Sequence, residues 1–140
     1  MPVNAPLRYR VVAYKYELAE SFTCVLPGVW VGTPFENGGL RIVGNRLTLK
    51  QFYRWDGASG PALDTPAFMR ASAKHDAWYQ LIRLGVLPVS SRRDADRTLR
   101  ADCLAAGMHP VRAWWVYHGV RVFGAKHCKP GTPERILTAP

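Results

Sequence analysis

The chain has 140 residues, a net charge of +9, 48% hydrophobic and 21% charged residues. That is enough for one globular domain with a real core, too little for two, and it excludes a disordered chain. No apolar run reaches the length of a membrane span, because the densest, Ala113 to Phe123, is broken by His118 and Arg121.

The first ten residues lack a signal peptide's apolar stretch and cleavage site, so export by the general route is not expected. Cys24, Cys103 and Cys128 are far apart and odd in number, which fits neither a disulfide framework nor a zinc spacing. Reduced thiols are expected. The charge is uneven: 12 Lys/Arg stand against 5 Asp/Glu from Thr65 onward, and 7 against 5 before it. The basic half is either a solvated face or a surface for an anionic partner. No nucleic-acid module accompanies it, so nucleic acid ranks last among partners.

In chain order, Val12, Tyr14, Tyr16 and Leu18 alternate with polar or small residues and predict one half-buried strand, with a bulge near Val11-Val12. Phe22, Cys24 and Leu26 predict a second strand, ended by Pro27-Gly28. Val29 to Val31 is read as a brief pairing before Gly32-Thr33-Pro34. Asn37-Gly38-Gly39 is a turn signal, and Leu40 to Val43, Gly44-Asn45 and Leu47 to Phe52 read as a hairpin.

At Trp55 the period changes. Asp64-Thr65-Pro66 is a helix start, and Phe68, Ala71, His75, Tyr79 and Ile82 form one stripe of a helix that stops near Gly85. Ser90 or Ser91 is expected to cap the next helix, which carries Ala95, Asp96, Leu99 and Cys103 and ends at Gly107. Pro110 opens a third helix whose apolar side is Val111, Trp114, Trp115, His118 and Val122, with at least one tryptophan expected in the core. Gly124 stops it, and a basic, extended tail is expected after that.

The chemistry-bearing residues lie between Trp55 and Asp102. On a helix His75 and Tyr79 share a face, while Asp76 points about 100° away. If the following helix lies antiparallel, Asp96 can accept a hydrogen bond from one ring nitrogen of His75 and leave the other as a base. Asp76, with Asp56 and backbone carbonyls of the Gly-rich turn after it, can supply oxygen ligands to calcium. The competing reading is plain: a hydrogen-bonded core histidine, ordinary turn chemistry at Asp56-Gly57 and Gly60-Pro61, and Asp96 in surface ion pairs with Arg92, Arg93, Arg97 and Arg100.

The pattern Trp55-Asp56-Gly57-Ala58-Ser59, His75-Asp76-x-x-Tyr79, Arg93-x-Ala95-Asp96, Gly107 and an aromatic third helix resembles a family of unknown function encoded by tailed phages and prophages. The resemblance covers most of the chain and implies a phage or prophage origin. The same core is more distantly similar to prokaryotic phospholipase A2. That resemblance implies His75 as base, Asp96 as the residue that orients it, Tyr79 as a buttress of Asp96, and Asp76, Asp56 and the Gly57 backbone as calcium ligands. Where those phospholipases have a cysteine in the loop and another one turn before the histidine, this chain has Ala58 and Ser72, so the disulfide is missing as a pair, as a reducing compartment would explain.

The expectation is a single α+β domain: a β-rich part over 1–55 that forms one small antiparallel sheet, a three-helix, phospholipase A2-like core over 56–124, and a tail over 125–140. Two functions follow. One is a calcium-dependent lipid ester hydrolase of phage entry or lysis, meeting an anionic lipid surface. The other is a non-enzymatic virion component, foremost of the tail or tail tip, with other virion proteins as partners in an assembly. Synthesis is expected in the host cytoplasm.

Overall fold

The computed structural model describes residues 7–12, 15–55 and 66–129. These form seven strands and three α-helices in an α+β arrangement, with antiparallel sheet at the N-terminal side followed by the helices. The strands are β1 (Tyr9–Val12), β2 (Lys15–Leu18), β3 (Phe22–Val25), β4 (Val31–Glu36), β5 (Leu40–Gly44), β6 (Arg46–Leu49) and β7 (Arg54–Trp55). They make two sheets rather than one, in the orders β1-β2-β7 and β3-β6-β5-β4.

The first strand of the sequence reading is in fact a hairpin. Tyr9 pairs with Leu18 and Val12 with Lys15, so β1 and β2 run antiparallel, and residues 13–14 lie outside the described set. The alternation runs through this reversal without a Gly or Asn to mark it, which is why a single strand was expected. A second correction concerns Gly32-Thr33-Pro34, which does not break β4 but lies inside it. β4 is the edge of its sheet, and its register shifts between Val31 and Phe35. Proline, with no N–H to donate, is tolerated at such an irregular edge. The Asn37 turn forms as its chemistry dictates: the side-chain oxygen accepts from the N–H groups of Gly39 and Leu40.

The helices are α1 (Pro66–Arg83), α2 (Arg92–Ala105) and α3 (Pro110–Phe123), and α1 and α3 each start on a proline. Gly85 and Gly107 follow α1 and α2 with φ of 75° and 92°, closing both by the same pair of bonds: Gly85 N to Ile82 O with Val86 N to Leu81 O, and Gly107 N to Leu104 O with Met108 N to Cys103 O. The α2 start departs from expectation. Ser91 stands at the cap position but makes no capping bond. Its hydroxyl instead donates to Pro88 O and accepts from Nε1 of Trp78, a side chain fully buried in α1. After α3, Ala125–Cys128 forms a short 3₁₀ turn, and residues 130–140 lie outside the described set.

α1 is the centre of the molecule. The expected stripe is buried, and so are Met69, Ala73, Ala77, Trp78 and Leu81 around the helix from it. One side joins Leu18, Leu26, Leu40, Ile42, Leu47 and Leu49 in a core shared with the sheets. The other contributes Phe68 and Ala71 to a second cluster with Leu99, Cys103, Met108 and Ala113 of α2, α3 and their connection. A helix sandwiched this way has few positions left for polar side chains, so a buried polar residue on it must find its partners inside the protein.

The third helix corrects the sequence reading most. Its buried positions are Ala113, with Val116 and Val120 partly covered. The predicted apolar side faces outward, and neither Trp114 nor Trp115 is in the core.

Candidate functional site

His75 and Tyr79, one turn apart on α1, present their rings side by side with centroids 4.1 Å apart. Both face α2 at Asp96, which is wholly buried. Nε2 of His75 lies 2.7 Å from Oδ1 of Asp96, and the Tyr79 hydroxyl donates to the same oxygen at 2.5 Å. Nη1 of Arg121, on α3, donates to Oδ2 at 2.8 Å. Arg92, one turn before Asp96 on α2, sits 3.9 Å from Oδ2 and gives its own Nη2 to the carbonyls of Val120 and Arg121, both at 2.8 Å. The last-turn carbonyls of α3 thereby gain the cation that a helix C-terminus favours.

Burial works against ionisation of Asp96, but the hydrogen bonds from His75, Tyr79 and Arg121 outweigh it and hold the carboxyl below its ordinary range. An ionised carboxylate only accepts, so the ring nitrogen facing it carries the proton. This sets the tautomer: Nε2–H donates to Asp96, and Nδ1 is the free nitrogen of the neutral ring. Nδ1 lies 3.9 Å from the half-exposed carboxylate of Asp76, beyond hydrogen-bond reach but within strong charge interaction. Burial pulls the imidazole's pKa down, while Asp76 and Asp96 push it up and prevail, so the group titrates above its ordinary value. Burial, and then the Asp96 contact, raise the Tyr79 hydroxyl, which stays protonated as a donor.

The structure thus brings together His75, Tyr79 and Asp96. Asp96 has no exposed surface, so its ion pairs are buried ones, and of the α2 arginines Arg92 alone is in ion-pair distance of it among the described residues. Asp56 and Gly57 lie outside the described residues, so of the expected calcium ligands only Asp76 is placed, beside His75 on the site's more open side. Among the described residues no three His, Cys, Asp or Glu side chains converge on one point. Asp76 is a hard oxygen donor suited to calcium, and the other expected ligands, Asp56 and the Gly57 backbone, are outside the described residues.

Sequence reasoning missed Arg121 and the part Arg92 plays. Its pairing with Asp96 is among the sequence expectations, but its bonds to the last-turn carbonyls of α3, 28 and 29 residues on, have no local signal. Arg121 had none, being 25 residues from its partner. It also missed the role of Ser72, whose hydroxyl accepts from Nε1 of buried Trp55 at 3.0 Å and donates to Met69 O. Ser72 thus anchors, by a hydrogen bond, the end of β7 at Trp55 to α1. All three cysteines are free and buried, and burial first pushes each thiol up to about 12, so none is poised as a nucleophile.

In comparisons with known proteins, no family model, no curated protein and no solved structure matches this chain. Among the described residues no helix is long and apolar enough to cross a membrane.

Proposed function

We propose that the chain is a phospholipase-like ester hydrolase of phage or prophage origin, with His75 as its general base. One observation carries the reading: the imidazole is held at Nε2 by a buried, ionised carboxylate, while Nδ1 is left on the side of half-exposed Asp76. Nδ1 takes a proton from a water whose oxygen adds to the ester carbonyl carbon. Asp96 stabilises the imidazolium that forms, and Tyr79 and Arg121 keep Asp96 in place. The proton then passes to the leaving alkoxide as the carbon–oxygen bond breaks, giving acid and alcohol. A calcium ion held by Asp76, Asp56 and the Gly57 carbonyl supplies polarisation of the ester carbonyl when bound.

The test is hydrolysis of phosphatidylglycerol vesicles in millimolar calcium by the wild type and by His75→Gln. Fatty acid release that the variant lacks, with its circular dichroism unchanged, is the expected result. Equal release by both removes His75 from the reaction. Calorimetry of calcium binding beside Asp76→Asn tests the metal separately, with saturable binding expected in the wild type alone.

A second reading has its own observation. Asp96 accepts bonds from α1 and from α3, and His75 keeps only 7% of its surface exposed. The same groups serve as a satisfied polar lock between three helices, as in a non-enzymatic virion component. That reading requires the protein in purified particles, and mass spectrometry that fails to find it there counts against it.

A further inference from the structure

We infer that the outward face of α3, with the arginine-lined groove beside it, docks on an anionic lipid surface. The inference deepens the hydrolase reading by naming where lipid is met, but binding itself requires no working His75.

The face is defined by period. Val111, Trp115, His118 and Val122 recur at the i, i+4, i+7, i+11 spacing of one helix stripe, opposite buried Ala113 and partly buried Val116 and Val120. Val111, Trp115, Val122 and Phe123 are 57, 66, 68 and 72% exposed, and Trp114 flanks them. The helix is therefore apolar on both sides, and among the described residues only one side packs into a core. A contiguous exposed patch of this kind marks an interaction surface, where single exposed residues would not.

Charge selects the occupant. From Pro110 to Lys129 the chain carries Arg112, Arg121, Lys126 and Lys129 and no Asp or Glu. Behind the stripe an open groove of about 340 Å³ is lined by Arg97, Arg100, Ala101, Leu104 and Tyr117. Among the described residues neither Arg97 nor Arg100 is in an ion pair with a carboxylate, and the Arg100 guanidinium lies over the Tyr117 ring, 5.9 Å from its centroid. An unbroken series of ring contacts leads from the groove to the stripe: Tyr117 to His118 at 5.2 Å, His118 to Trp114 at 4.1 Å, and Trp114 to Trp115 at 5.3 Å.

A lipid interface matches both chemistries at once. Indole rings and valines enter the boundary of head groups and acyl chains, and the guanidinium groups meet phosphate. A second copy of this chain would set like charges against each other, since each copy carries +9. Nucleic acid would stack on the rings but leave Val111 and Val122 uncovered.

The experiment is sedimentation with vesicles of equal parts phosphatidylglycerol and phosphatidylcholine, and with pure phosphatidylcholine, followed by tryptophan emission. The proteins are the wild type, His75→Gln, Trp115→Ala/Val122→Ser and Arg97→Gln; the last two alter exposed positions. Expected are binding and a blue shift on anionic vesicles for the wild type and His75→Gln alike. The double variant should lose affinity about tenfold and Arg97→Gln about fivefold.

Equal binding to neutral vesicles, or binding unaffected in the double variant, overturns the inference even if hydrolysis is observed. Binding without hydrolysis leaves it standing and defeats the hydrolase reading instead. A dimer that the double variant breaks, with no vesicle binding, assigns the face to a second copy and also overturns it.

Discussion

Arg121, near the end of α3, reaches Oδ2 of Asp96 in the middle of α2 at 2.8 Å. The carboxylate is wholly buried, so this guanidinium supplies charge balance that water cannot. Arg121→Met leaves the carboxylate with hydrogen bonds but without its closest fixed cation, and should cost about 3 kcal/mol in urea denaturation. Asp96→Asn should cost about as much, because it strands Arg121 and weakens the His75 and Tyr79 bonds. The double variant strands fewer groups and should fall short of the sum by at least about 1 kcal/mol. Strict additivity would mean that the two side chains act independently.

The two perturbed groups also set how stability varies with pH. The Asp96 pKa is depressed, so its contribution is present above the unfolded value of about 3.9 and is lost as pH falls through the lower folded value. The His75 pKa is raised, so its contribution is complete below about 6.5 and is lost as pH rises through the higher folded value. The urea midpoint should therefore be greatest between about pH 4 and about pH 6.5 and decline on both sides. In His75→Gln the alkaline decline should vanish while an acid decline persists. Under the hydrolase reading the rate should rise over the same alkaline range, because only the neutral imidazole is a base. A rate that falls there excludes His75 as base.

The legible parts of this fold are those governed by neighbouring residues. Pro66 and Pro110 open helices, Gly85 and Gly107 close them, and the four-residue interval from His75 to Tyr79 puts both rings before one carboxylate. What could not be read depends on distance or direction. The β1–β2 reversal has no residue that demands a turn, and Pro34 is allowed in β4 only because that strand lies at an edge. Periodicity found the apolar stripe on α3, yet a stripe does not say whether core or exterior receives it. The α3 core side escaped notice because Ala113, Val116 and Val120 are small beside the tryptophans. Arg121 reaches the site only through the packing of α3 on α2.

The bond between Trp55 and Ser72 should be a measurable part of the stability. Ser72→Ala removes the acceptor of a buried indole N–H and leaves it unsatisfied, at a cost of about 1–3 kcal/mol. Trp55→Phe in the same background should recover part of that loss, because the orphaned donor is then gone. Chemical denaturation of the three variants checks this. If Ser72→Ala alone is neutral, the indole has another partner in solution and the anchor is not this bond.

The backbone packs tightly against the site at Gly124, just after α3. A Cβ placed there would come within 2.5 Å of the Val120 carbonyl oxygen and 2.6 Å of the Tyr79 hydroxyl, closer than such atoms can stand. The carbonyl is backbone, already engaged by Gly124 N and by Arg92, and the hydroxyl is fixed on Asp96. Neither can move without loosening the site, so Gly124→Ala should destabilise by about 1–3 kcal/mol. It should also shift the His75 titration followed by its ring proton resonances, because displacing Tyr79 alters the carboxylate that His75 faces. Tyr79→Phe removes the hydroxyl and relieves one of the two clashes, so adding it to Gly124→Ala should cost less than it does in the wild type. If Gly124→Ala melts like the wild type and leaves the His75 titration in place, the last turn of α3 sits farther from Tyr79 than this geometry gives, and the coupling of α3 to the site through that contact is lost.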